Sequence, residues 1–104
     1  MGKVITHIKL QNWGDIALLA AGKRREPARS VETEALVDTG ATRLYLKSSV
    51  IRQLGLWKIG RGTSHTMSNR REPRRIFSVV ELEIQGRSCR FDVIELSDDL
   101  PNII

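Results

Sequence analysis

Residues Val4 to Leu10 alternate, with Val4, Thr6, Ile8 and Leu10 on one side and Ile5, His7 and Lys9 on the other. A period of two marks a β-strand with one face turned to a core. The alternation recurs in Val31, Thr33, Ala35 and Val37, with Glu32 and Glu34 opposite. It is strongest in Ile76, Ser78, Val80, Leu82 and Ile84, set against Phe77, Val79, Glu81 and Glu83. Gln85-Gly86-Arg87 reads as a hairpin turn from which Cys89 to Leu96 returns as a strand. Gln11-Asn12-Trp13-Gly14 reads as a turn, and Asp15 to Ala21 fits either a strand or a short helix. Gly22 and the basic turn that follow at once favour the strand. Ser48 reads as the N-cap of a short helix through Val50-Ile51-Arg52-Gln53-Leu54, closed by Gly55. Ile59 to Arg75 is polar and glycine-containing, and fits an irregular loop or the two arms of a hairpin. Pro101-Asn102-Ile103-Ile104 reads as the start of a strand. The pattern predicts an all-β, mostly antiparallel domain with one short helix.

Length narrows this further. The 104 residues suffice for one domain, residues 1–104, and exclude a two-lobed enzyme holding both walls of a wide cleft in one polypeptide. A core this small gains from oligomerisation. With Cys89 as the one cysteine, no internal disulfide forms, and a zinc cluster lacks ligands. His7 and His65 read as strand or loop residues rather than metal ligands. No apolar run approaches the ~18 residues of a membrane span. Met1-Gly2-Lys3-Val4-Ile5-Thr6-His7 carries no secretory pattern, so a reducing, cytoplasmic setting is expected.

The formal charge of +5 is arginine-rich and concentrates in Lys23-Arg24-Arg25 and in Arg70-Arg71 with Arg74-Arg75. Pro27 and Pro73 sit beside these clusters, which places them in loops or hairpin ends. A phosphate-binding patch is one reading; solvated loops that blunt β edges are the simpler one. Trp13, Tyr45, Trp57, Phe77 and Phe91 do not interleave with the arginines as a base-stacking platform would, which disfavours a nucleic-acid partner.

The most informative segment is Ala35-Leu36-Val37-Asp38-Thr39-Gly40-Ala41-Thr42. An Asx turn closing a hairpin would explain Asp-Thr-Gly in an arbitrary protein. Here the preceding strand is apolar on both faces at Leu36-Val37, and Leu44-Tyr45-Leu46 follows. The carboxylate therefore emerges from a buried element rather than a free tip.

With that strand before it, Asp38-Thr39-Gly40-Ala41-Thr42 resembles the active-site signature of the retropepsin-like, or retroviral-type, aspartic proteases. Ser49 to Leu56 resembles the helix that bacterial members place after the signature, and Pro101-Asn102-Ile103-Ile104 resembles the hydrophobic segment of the second conserved region. The likeness runs from about Val31 to Ile104. It implies a retropepsin-like acid-protease barrel, an aspartic endopeptidase activity on a polypeptide substrate, and no cofactor or metal. Asp38 would be catalytic, with Thr39, Gly40 and Ala41 as its support. Asp15, Asp92, Asp98 and Asp99 are not followed by Thr/Ser-Gly, so the second carboxylate would come from Asp38 of another subunit, in a homodimer. The family's hairpin flap would correspond to about Thr63 to Arg74, with Met67, Ser68 and Asn69 touching substrate. Members continue past the equivalent of Ile104, so the resemblance also implies that the C-terminal part of the fold lies beyond this chain. The alternative is a catalytically inactive β-rich module with the same fold, used for dimerisation or peptide binding.

Overall fold

Alternating apolar residues form strands that must share one buried face, and the strand order shows how they do so. The computed structural model describes residues 4–37, 43–65 and 71–104. Its strands are β1 (Val4–Asn12), β2 (Ser30–Val37), β3 (Leu44–Lys47), β4 (Lys58–His65), β5 (Arg71–Ile84) and β6 (Arg87–Leu96). They lie in one sheet in the order β2-β1-β5-β6-β3, with β4 pairing β5 beyond that path. All pairs are antiparallel except β3 with β6, which is parallel. The all-β expectation holds.

β2 and β3 stand at the two ends of this order. The sheet curls so that Ile103 bridges both, parallel to Leu36 and antiparallel to Tyr45. Bridging pairs the N–H and C=O groups of Leu36 and Tyr45, which would otherwise stand open on two sheet edges. The core lies inside the curl: Ile8, Leu10, Leu44, Leu46, Val80, Val93 and Leu96 are fully buried, with Leu54 packed onto them from a helix. Each contributes roughly 1.5–3 kcal/mol by leaving water. The Gln85-Gly86 turn has positive φ at both residues (49° and 79°), the geometry that matches the twist of a two-residue hairpin.

Two helices are present among the described residues, one more than expected. The segment read as a strand is α1 (Trp13–Ala20). Its physical cause is a cap: the Asn12 side chain accepts a hydrogen bond from the Asp15 N–H (3.1 Å). The same side chain donates to the Leu54 carbonyl at the end of α2 (Ser48–Leu54), 2.8 Å away. One buried amide thus satisfies an orphan donor of one helix and an orphan acceptor of the other. Ser48 is the first residue of α2 rather than its cap, a place Lys47 takes. Instead, Asp98 Oδ1 accepts from the Ser49 N–H at 2.9 Å, which more than any other contact holds the Asp98 carboxyl below its ordinary range. Gly55 ends α2 at φ 64°, as the sequence indicated, and a side chain there would also collide with the Arg29 guanidinium.

The first basic cluster lies in the loop after α1 and is partly structural. Asp15 is 3% exposed and accepts hydrogen bonds from Arg29 N–H (3.0 Å), Nε (2.9 Å) and Nη2 (3.1 Å), with Arg24 Nη1 at 3.6 Å. These bonds, the Arg29 side chain's foremost, hold the Asp15 carboxyl below the ordinary carboxylate range. A lowered carboxyl stabilises the fold above its unfolded pKa of about 4, and the contribution disappears as pH falls through the lowered value. Asp15→Asn is expected to destabilise the protein by about 2–3 kcal/mol at neutral pH, a cost reduced because Arg29 is half exposed. In urea denaturation the gap between wild type and variant should close with acidification; a gap independent of pH would contradict this role.

Candidate active site

Asp38, Thr39, Gly40 and Ala41 lie outside the described residues, as do Met67, Ser68 and Asn69. The elements that lead into and out of both segments are described. β2 ends at Val37, directly before Asp38, and β3 begins at Leu44. The segment between them therefore joins the two strands that Ile103 bridges.

That bridge is built from paired polar groups. Leu36 N–H donates to the Asn102 carbonyl (2.8 Å), and Ile104 N–H donates to the Leu36 carbonyl (3.0 Å). On the other side Tyr45 and Ile103 exchange both of their backbone hydrogen bonds at 2.9 Å. The Asn102 side chain, 2% exposed, adds a bond on each flank. Its Nδ2 donates to the Glu34 carbonyl (3.0 Å), and its Oδ1 accepts from the Lys47 N–H (2.9 Å). Both approaches to the Asp38 segment are thus fixed to one short segment, Asn102-Ile103-Ile104. Apolar packing of Ala35, Leu44 and Leu46 sets the same strands against the core. At the outer end of β1, Val4 pairs with Val37, and both Val4 (60%) and Ile5 (64%) are exposed. Being consecutive in a strand, Val4 and Ile5 project from opposite faces beside the strand end from which Asp38 follows.

The described residues of the stretch expected to form a flap lie on the arms of a hairpin. β4 and β5 pair from Lys58 opposite Phe77 to His65 opposite Arg71, with a register shift between Lys58 and Gly60. Arg74 and Arg75 thus sit on a strand rather than in a loop. At the hairpin base Arg75 makes a two-pronged ion pair with Glu95 of β6, Nε to Oε1 at 2.6 Å and Nη2 to Oε2 at 2.9 Å. Ser48 Oγ donates to the same carboxylate at 2.9 Å. Arginine and aromatic side chains also meet between elements: the Arg90 guanidinium lies 3.8 Å from the centre of the Trp13 ring.

Sequence reasoning missed Asn102 as a bridge and Glu95 as an anchor for the hairpin. Each carried a signal. Glu95 interrupts the apolar run Val93-Ile94-Glu95-Leu96, and Asn102 stands alone among Leu100, Pro101, Ile103 and Ile104. A polar residue inside an apolar run is expected to have a specific partner. Among the described residues no group of three or more His, Cys, Asp or Glu side chains is placed to hold a metal ion. No helix among them is long and apolar enough to cross a membrane.

A family model described as aspartyl protease matches residues 28–104. The match takes in β2, the Asp38 segment, the hairpin and the Ile103 bridge. A search of curated proteins finds no match.

Removing the Asn102 side chain orphans two backbone groups. Asn102→Ala is expected to lower stability by about 2–4 kcal/mol in urea denaturation, from two lost hydrogen bonds and the unsatisfied Glu34 carbonyl and Lys47 N–H. A loss below about 0.5 kcal/mol, the range of an ordinary surface substitution, would contradict the bridging role.

Proposed function

The chain belongs to the aspartyl protease family, and from that premise we propose that it is an endopeptidase acting as a homodimer in which each subunit supplies Asp38. Peptide hydrolysis without a covalent intermediate needs a base to take a proton from water and an acid to protonate the leaving group. Two carboxylates sharing one proton provide both, which is the general rule for aspartic proteases and is carried to this chain as such. Carboxylates about 3 Å apart cannot both ionise, so their titrations split and belong to the pair. One Asp-Thr-Gly per chain then requires a second chain, with the site on a two-fold axis.

The observation that carries this reading is the bridged pair of strands that leads into and out of the Asp38 segment. A carboxylate that activates water works only when held in a narrow geometry, and six hydrogen bonds on two flanks supply that stiffness nearby. In this reading Thr39, Gly40 and Ala41 support the paired carboxylates, and the β4–β5 hairpin covers an extended polypeptide substrate, with Met67, Ser68 and Asn69 nearest to it. A reducing, cytoplasmic setting belongs to the same proposal and rests on the lone, exposed thiol of Cys89.

Asp38→Asn removes the titrating group and preserves its size. Hydrolysis of quenched-fluorescence peptides, assayed from acid to neutral pH, is expected to fall by at least about 10²-fold in the variant, while its thermal unfolding stays cooperative. Equal hydrolysis by wild type and variant would overturn the catalytic assignment. Absence of hydrolysis in both would favour the inactive binding module.

A further inference from the structure

Beside the base of the β4–β5 hairpin lies a cavity of about 340 Å³ lined by Ser48, Arg61, Arg74, Arg75, Glu95 and the β6 end. Its charges do not balance. Glu95 answers Arg75 through the two-pronged pair. Arg74 lies near enough to Asp99 to help hold that carboxyl low, after the Ser97 hydroxyl, which contributes most. The Arg61 side chain makes no ion pair or hydrogen bond with any described residue. It stands directly opposite Arg75 in the ladder, where like charges repel. The cavity lining thus holds three guanidinium groups and one carboxylate, Glu95, which is taken up by Arg75.

The neighbouring backbone indicates what kind of molecule would bring the missing anion. β4 pairs with β5 alone, so its outer edge has no strand partner among the described residues. Gly60, next to Arg61, has open space where a side chain would project. An extended peptide can add to such an edge through main-chain hydrogen bonds and send alternate side chains toward one face. Free phosphate would use the cations but not the edge.

We propose that this cavity is an acid-selective subsite, in which Arg61 receives the carboxylate of a Glu or Asp side chain on an extended peptide substrate. The inference rests on the protease reading for the word substrate, but the subsite itself is testable without cleavage. Two fluorescein-labelled peptide pools, alike except for a central Glu or Gln, are titrated against the Asp38→Asn protein by anisotropy. The Glu pool is expected to bind about fivefold tighter, the scale of one accessible ion pair. Arg61→Gln should erase the difference. Arg87→Gln, an equal charge change at the exposed β5–β6 turn, should leave it intact. Equal affinity for the two pools, or a preference that survives Arg61→Gln, would overturn the proposal. So would displacement by inorganic phosphate in the absence of any Glu preference. If the preference is present but wild-type protein cuts neither pool, the protease reading fails and the subsite stands.

Discussion

The structure depends on how its two outermost strands are joined. β2 and β3 end the sheet order on opposite sides, and a residue triplet, Asn102-Ile103-Ile104, lies between them. Backbone hydrogen bonds on both flanks turn an open sheet into a curled one and enclose the apolar side chains of Ile8, Leu10, Leu46 and Val80. Because β2 and β3 are also the strands before and after Asp38, the contact that completes the core is the contact that ties together the two strands flanking the candidate catalytic segment. A few polar groups therefore serve both strands at once. Asn102 is central among them, since it is buried, cannot ionise, and satisfies one donor and one acceptor on different strands.

Charge plays a second, more local part. The excess of basic residues reads in the sequence as two solvated clusters, but the fold uses several of these side chains individually. Arg29 and Arg24 fix the loop after α1 to Asp15, Arg52 faces Asp98 at 3.7 Å, and Arg75 ties the hairpin to Glu95. The exposed pairs contribute little to stability, whereas Asp15 is buried and matters more. What remains uncompensated, notably Arg61, is exposed at the rim of a cavity.

Much of this is legible in the sequence, and the exceptions have physical causes. Period-two alternation locates β1, β2 and β5, because strands with one buried face repeat their apolar residues at that interval, and the hairpin turn locates β6. Gly55 and the Gln85-Gly86 turn are readable because positive φ selects few residues. α1 escapes the pattern because Asp15 to Ala21 is too short for periodicity to separate helix from strand. Its signal is Asn12 followed three residues later by Asp15, the spacing of a cap. Ser48 misleads for the opposite reason: a carboxylate from a distant loop, Asp98, takes the role of a local hydroxyl. Of the site, the described residues bear on the apolar strand that ends at Val37, while Asp38-Thr39-Gly40 lies outside them. The Ile103 bridge is not legible, since a contact between residues 36, 45 and 103 leaves no local periodicity.

The central claim is that one functional site needs Asp38 from two chains. Co-refolding a fixed amount of wild type with increasing Asp38→Asn protein tests it most directly, with hydrolysis as the readout. If mixed dimers are inactive, an equal amount of variant should lower activity to about half and a ninefold excess to about a tenth, because wild-type chains pair among themselves less often. Activity that stays proportional to wild-type protein at every ratio would show that each chain acts alone and would contradict the account.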